Sequence, residues 1–189
     1  MIKQTQRDIE MIYTLDLLKV MTSKQLQRLF FYGNQGHQSR RCKQLVDHKK
    51  IKCSSLGNWQ QNIYYLKRKP KQQLKSMLLL SEFYIRMIEA GYEILFFKRE
   101  YIIPDTNIRA DGFMVAKKDS DIFEFIIEID LTHFDGYKYE AEMIKGTIFN
   151  PIVSISPYKR RYCKELTVYH IDKDFININK FFKKIEEIC

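Results

Sequence analysis

Residues 37–66, HQSRRCKQLVDHKKIKCSSLGNWQQNIYYL, decide the fold of the first part of this chain. The first half of the stretch predicts a basic helix. The second half predicts two strands, over residues 51–54 and 61–66, because β-branched and aromatic residues flank a turn at residues 56–58. A basic helix followed at once by a β-hairpin indicates a winged helix-turn-helix domain.

Two more helices are predicted before the basic helix. Thr5 is a suitable N-cap for the first, which we expect to end near Met21. The second is expected to start at Thr22 or Ser23 and to stop at Tyr32. The residues expected to face inward, from their helical spacing, are Ile9, Ile12, Tyr13, Leu17 and Val20 in the first helix, Leu26, Leu29 and Phe30 in the second, and Cys42, Leu45 and Val46 in the third.

The positive charge is concentrated in this part of the chain. The whole sequence has 189 residues and a formal charge of +9. Residues 1–75 carry 16 Lys and Arg against 4 Asp and Glu, a net +12, whereas residues 76–189 carry 16 against 19, a net −3. A concentrated basic surface favours a polyanionic partner, because each neutralised phosphate releases counterions. The alternative is a solvated face that keeps the protein soluble.

The order of the elements favours double-stranded DNA as the partner. Arg, Lys and Gln side chains can bond base edges or phosphates, and a recognition helix presents them from its N-terminal half. The residues that we expect to contact DNA are Gln38, Ser39, Arg40, Arg41, Lys43 and Gln44 on the helix, and Asn58, Trp59, Lys67 and Arg68 on the hairpin. For Trp59, a partly buried position that closes the hairpin is an equally good interpretation.

Pro70 marks the end of the first predicted domain, which covers residues 1–69. A long periodic segment that ends at Gly91 predicts a connecting helix over residues 70–91. Residues 92–189 are expected to form a mixed α/β domain, so the overall class is α+β. Its predicted strands are 93–97, 107–115, 122–131, 152–156 and 166–171, and its predicted helices are 137–149 and 175–188. The apolar stripe of the last helix is expected to be either core or a dimer seam.

One group of acids in the second domain suggests chemistry. Asp111 lies on one predicted strand, and Glu128 and Asp130 share a face of the next because they are two residues apart. Acids on neighbouring strands are the arrangement with which nucleases of the PD-(D/E)XK class hold a divalent metal. The usual lysine of that motif is replaced here by Asp130, although Lys138 or Lys145 on the next helix could approach.

These acids leave two interpretations open. In the first, Asp111 and Glu128 bind Mg²⁺ or Mn²⁺ and, with Asp130 and Lys145, cleave DNA. In the second, which we favour, the scaffold is nuclease-like but inactive, the chain has no cofactor, and the acids are satisfied by Arg109, Lys138 or backbone groups.

Six segments together resemble one known family: SRRCKQLVDHKKI, NIYYL, LSEFYIRMIEAG, IRADGFMV, FIIEIDLTHF and KYEAEMIKG. Across roughly residues 5–165 the chain is similar to the replication-relaxation family of winged-helix proteins from plasmids and integrative elements of Gram-positive bacteria. The resemblance implies an N-terminal DNA-binding domain and a nuclease-like C-terminal domain, with a role in replication, mobilisation or transcriptional control. The family's acids would correspond to Asp111, Glu128 and Asp130.

Other classes of protein do not fit the sequence. No apolar run approaches the roughly 18 residues that span a bilayer, and the start of the chain lacks the apolar stretch of a signal peptide, so we expect a cytoplasmic protein without a membrane partner. No Gly-rich phosphate loop, nucleophile elbow or nucleotide-binding fingerprint is present in the sequence. DNA operators with two half-sites favour a homodimer, and the second domain could meet a protein partner.

Overall fold

The structure is a computed structural model, and it describes residues 2–56, 61–70, 73–131, 137–146, 148, 150–158 and 166–187. Over these residues the chain is a mixed α+β protein with six helices, a small antiparallel sheet and a five-stranded mixed sheet, which confirms the predicted class. Internal contacts divide it into two units, Met1–Ile85 and Arg86–Cys189. In the described part of the chain, no helix has the length and apolar character needed to cross a membrane.

The first unit begins with three helices and a three-stranded antiparallel sheet. The elements are α1 (Gln6–Leu18), β1 (Met21–Thr22), α2 (Ser23–Phe31), α3 (Gln35–Asp47), β2 (Lys52–Ser55) and β3 (Asn62–Tyr65). The strand order is β1-β3-β2, with Met21 opposite Tyr64 and Cys53 opposite the same tyrosine on the other side. The expected hairpin after the basic helix is therefore present. The short strand β1 had not been expected from the sequence.

Each of the three helices starts at a residue whose side chain caps it. Thr5 and Thr22 form capping boxes with Asp8 and Gln25, three residues later, and Asn34 accepts a bond from the backbone N–H of His37. At its C-terminal end, α2 stops at Tyr32, which has a left-handed backbone with φ of 48°. The caps at Thr5 and Thr22 and the stop at Tyr32 confirm the expectations from the sequence.

The buried face of α1 differs from the one expected. Met11, Leu15 and Leu18 are fully buried, whereas Ile9 and Tyr13 are 53% and 69% exposed. Asp8 shares the buried face of Met11 and Leu15, and its ion pair with Arg41 of α3 offsets the cost of its burial there. The helix also ends at Leu18 instead of near Met21, since Lys19 takes a positive φ of 69°.

The second unit is built on the sheet β4-β5-β6-β7-β8. Its elements are β4 (Glu93–Ile102), β5 (Arg109–Lys118), β6 (Asp121–Ile129), α5 (Tyr137–Ile144), β7 (Ile152–Ser156), β8 (Val168–Asp172) and α6 (Ile178–Glu186). The first three strands are antiparallel, and β6, β7 and β8 are parallel. The helix α4 (Leu74–Glu89) precedes this sheet and contains the division between the units.

Helices α5 and α6 pack on opposite faces of this sheet. Phe125 of β6 contacts Phe181 of α6, with ring centroids 5.7 Å apart, whereas the next residue, Ile126, lies in a buried cluster with Tyr139 of α5. Successive residues of a strand point to opposite faces, so the two helices cover different sides. The stripe of α6 is core, because its Ile178, Phe181 and Ile185 are at most 4% exposed.

Several element ends differ from the sequence expectations. The strand β4 continues to Ile102, five residues beyond its expected end, because it stays paired with β5 as far as Arg109. The hairpin turn between β5 and β6 shortens to two residues, since Lys118 and Asp121 still pair. The helix α5 ends at Ile144, before Gly146, which has a positive φ of 73°.

Candidate functional site

The outer face of α3 carries four of the residues expected to contact DNA. Ser39, Arg40, Lys43 and Gln44 are all exposed. They lie along about two turns of the helix, whose N-terminus is fixed by the Asn34 cap. Exposed hydroxyl, guanidinium, ammonium and amide groups can bond base edges and phosphates.

Gln38 lies on the opposite side of α3, so its expected outward placement is wrong. It is 2% exposed, and its Nε2 donates a hydrogen bond to Cys42 Sγ at 3.4 Å. Gln38, Cys42 and Leu45 are spaced by four and three residues and form the buried stripe of the helix. The stripe therefore begins one turn earlier than the apolar residues alone indicated, and Gln38 has no exposed side chain with which to contact DNA.

Arg41 is also placed differently from the expectation, because its guanidinium is bound inside the unit. Its Nε donates to Asp8 Oδ1 at 2.9 Å, and its Nη2 donates to Asp8 Oδ2 and to the carbonyl of Lys3. Its Nη1 donates to Gln44 Oε1 at 2.9 Å. The Arg41 side chain is 17% exposed and that of Asp8 is fully buried. This ion pair joins α1 to α3.

The pKa of Asp8 reflects this contact. Burial raises the pKa of the carboxyl, but the hydrogen bonds from Arg41 and from Thr5, together with the charge of Arg41, outweigh burial and lower the pKa to about 2. The pKa of Arg41 rises because its hydrogen bonds to Asp8 favour the charged form. Both groups are therefore ionised at neutral pH.

The hairpin residues fall into two sets. Asn58 and Trp59, which we expect at the wing tip, lie outside the described residues, and their role stays a prediction. Lys67 and Arg68 are exposed just after β3. The Nζ of Lys52 donates to the carbonyl of Lys67 at 2.6 Å, so residues following β3 lie beside the start of β2.

In the second unit the structure brings Asp111 and Glu128 together. They lie on the adjacent strands β5 and β6, where Asp111 precedes Gly112 and Glu128 follows Ile127, the residue paired with Gly112. Asp111 Oδ2 accepts a bond from the backbone N–H of Ile129 at 2.8 Å. Glu128, whose side chain is 11% exposed, accepts bonds from Lys138 Nζ at 3.2 Å and from the hydroxyl of Tyr139.

The pKa of Glu128 is raised to about 8. Burial is the main cause and the charge of Asp111 adds to it, while Lys138 lowers the pKa by a smaller amount. Glu128 is therefore mostly protonated at neutral pH. Oxygen donors suit Mg²⁺ or Mn²⁺, but at neutral pH the proton on Glu128 competes with any such ion.

The remaining expected members of this group are less close. Lys145 is 63% exposed and donates to Glu142 Oε1 at 2.7 Å, so Lys138 is the lysine that reaches Glu128. Asp130 is 7% exposed, and its backbone N–H bonds the carbonyl of Ile155. Among the described residues, no three His, Cys, Asp or Glu side chains form a group that could hold a metal ion.

Two important residues were missed from the sequence. Asp8 had a signal, since Thr5-x-x-Asp8 is a capping-box pattern, but its burial depends on the distant Arg41. Tyr139 had no signal beyond its place beside Lys138, because its contact with Glu128 requires α5 to pack on that face of the sheet.

Comparison with known proteins gave no assignment: no protein-family model matches the chain, and no curated protein matches it.

Replacing Arg41 is expected to destabilise the first unit. In Arg41→Ala the buried carboxylate of Asp8 loses its counter-ion, which typically costs about 3 to 5 kcal/mol of the free energy of unfolding. Urea unfolding at neutral pH measures the loss. Lys43→Ala, on the exposed face of the same helix, is the control and is expected to change stability by no more than about 0.5 kcal/mol.

The pH dependence checks the same contact. Because the pKa of Asp8 is lowered in the folded state, this group stabilises the fold above about pH 4, and the stabilisation is lost as the pH falls toward 2. The loss in the free energy of unfolding is about 2 kcal/mol. This loss is expected to be absent in Asp8→Asn. Equal stability of Arg41→Ala and Lys43→Ala would show that the pair does not hold the unit together.

Glu128 is expected to make stability fall with rising pH. Its raised pKa means that the neutral form is favoured in the folded state, so the stabilisation is complete below about pH 4.5 and is lost as the pH rises through about 8. Between pH 5 and 9 the free energy of unfolding of the wild type should fall by on the order of 4 kcal/mol more than that of Glu128→Gln. Chemical unfolding at several pH values measures the difference.

The control is Glu124→Gln, which changes an exposed carboxyl on the same strand. Its profile should follow the wild type. Parallel profiles for the wild type and Glu128→Gln would contradict the assignment of a neutral Glu128.

Proposed function

We propose that this chain binds double-stranded DNA through its first unit, with α3 as the recognition helix of a winged helix-turn-helix. The observation that carries the proposal is the exposed face of α3, on which Ser39, Arg40, Lys43 and Gln44 are free of the core. The buried stripe and the Arg41–Asp8 pair hold the opposite side of the helix. A helix fixed on one side and polar on the other can enter a major groove without rearranging its unit.

The order of elements supports the winged-helix interpretation. Three helices are followed by a hairpin, and the hairpin strand β3 pairs with a short strand between α1 and α2. The excess charge supports a polyanionic partner, since the net +12 lies within residues 1–75. Asn58 and Trp59 would extend the contact from the wing tip, toward the DNA backbone or minor groove.

The cellular process follows from the family resemblance alone. We propose that the chain is a cytoplasmic protein of a plasmid or another mobile element and acts in replication, mobilisation or transcriptional control. A homodimer would match an operator with two half-sites. The second unit, for which the resemblance implies a nuclease-like domain, would serve assembly or contact with a protein partner. Because the apolar stripe of α6 is core, such contacts would use another surface.

Arg40→Ala is expected to weaken binding to a duplex selected by the wild type from a random library. The loss is about 1 to 3 kcal/mol if the guanidinium reads a base, and the preference for the selected duplex over random DNA should fall with it. Fluorescence anisotropy at one fixed salt concentration measures both quantities.

Lys180→Ala serves as the control, since it removes an exposed cation from α6 in the second unit. It should leave the preference unchanged. An unchanged preference in Arg40→Ala would remove Arg40 from the recognition surface, and failure of the wild type to bind any duplex at low salt would refute DNA binding.

A second candidate function is metal-dependent cleavage of DNA, favoured by the meeting of Asp111, Glu128 and Lys138. Asp111 and Glu128 would hold the ion, which when bound activates water and neutralises charge on a phosphoryl oxygen. Lys138 lies where it could approach a phosphate oxygen. Because Glu128 is protonated at neutral pH, we favour DNA binding without cleavage.

Incubation of the protein with supercoiled DNA and Mg²⁺ or Mn²⁺ tests this second function. Cleavage should be stronger at pH 9 than at pH 7, as Glu128 loses its proton, and it should disappear in Glu128→Ala. Glu124→Ala is the matched control. Cleavage that persists in Glu128→Ala would come from another site or a contaminant.

A further inference from the structure

A second group of cations lies beside β2, apart from the outer face of α3. We name it the β2-edge cluster; its members are Lys49, Lys50, Lys52, Lys67, Arg68 and Lys69, all of them exposed. The exposed cations of α3 are Arg40 and Lys43. Of these two surfaces, the β2-edge cluster therefore carries more exposed positive charge.

Two contacts bring the separate parts of the cluster together. Lys52 Nζ donates to the carbonyl of Lys67 at 2.6 Å, and Lys69 Nζ donates to the carbonyl of Ser55 at 3.4 Å. Lys52 and Ser55 are the two ends of β2, which is one of the two edge strands of its sheet. Residues 67 and 69 therefore lie within the reach of a lysine side chain from β2, and two sequence segments contribute to one basic surface.

The charge of this surface is not neutralised within the described part of the chain, where none of the six cations forms an ion pair with a carboxylate. In contrast, Arg28 and Arg41 of the same unit are paired with Glu82 and Asp8. Like charges held close together repel one another, and a polyanion that binds them relieves the repulsion.

We propose that the β2-edge cluster binds the phosphate backbone of duplex DNA independently of its sequence, while α3 reads the bases. This inference rests on the proposed function and divides it between two surfaces. Lysine acts as a point charge that suits phosphate, whereas base recognition relies on bidentate side chains. The cluster begins at Lys49, two residues after α3 ends at Asp47, so a duplex on α3 could continue onto it.

The test uses the full chain and a random-sequence duplex of about 30 base pairs, so that no specific site is needed. The variant Lys50→Gln/Lys67→Gln/Arg68→Gln removes three exposed charges and keeps Lys52 and Lys69, whose ammonium groups make the hydrogen bonds of the cluster within the described residues. Affinity is measured against salt concentration. Each lost phosphate contact should make the slope of log K against log salt concentration shallower by about 0.9, so three lost contacts should change the slope by about 2 to 3.

The control variant Lys180→Gln/Lys183→Gln/Lys184→Gln removes the same charge from exposed positions on α6 and should keep the wild-type slope. Urea unfolding verifies that both variants are folded. If the wild type binds and the β2-edge variant keeps its slope, this inference is overturned while DNA binding stands. If the wild type binds an acidic polypeptide such as polyglutamate but no duplex, both proposals are overturned.

Discussion

The first unit depends on the ion pair between Asp8 and Arg41. Asp8 closes the capping box of α1. The same carboxylate accepts hydrogen bonds from two nitrogen atoms of Arg41 on α3. Since the carboxylate is completely buried, the free-energy cost of its desolvation must be offset by these bonds, and α3 cannot rotate about its own axis without breaking them. The pair thereby selects which residues of α3 face the core and which face solvent.

The same constraint separates the basic residues by role. Arg41 and Arg28 are used within the unit, in pairs with Asp8 and Glu82, and their charges do not belong to a surface for a polyanion. The face of α3 around Arg40 and the β2-edge cluster, in contrast, are exposed. In the second unit, the balance at the buried carboxyl is reversed. The burial of Glu128, together with the charge of Asp111, outweighs the effect of Lys138, so the neutral form of Glu128 has the lower energy at neutral pH.

The sequence was sufficient for the order of the elements, apart from the short strand β1, and insufficient for the faces that the helices bury. The α+β class, the caps at Thr5 and Thr22 and the strand over 152–156 were predicted correctly, because they follow from local patterns. The inward face of α1 was not predicted, since it includes Asp8, whose partner Arg41 is distant in sequence. The burial of Gln38 was not predicted either, since a polar residue here continues an apolar stripe. For the acids, alternation along β6 predicted a shared face, but the choice of Lys138 over Lys145 required the packing of α5.

Lysine footprinting with and without DNA tests the proposed interface most directly. Chemical acetylation of the full chain, read by mass spectrometry, compares every exposed lysine in one experiment. A duplex bound to the first unit should protect Lys43, Lys49, Lys50 and Lys67, whereas Lys173, Lys180 and Lys183 of the second unit should react as in the free protein. Equal reactivity of all these lysines with and without DNA, or protection confined to the second unit, would contradict a DNA interface on α3 and the β2-edge cluster.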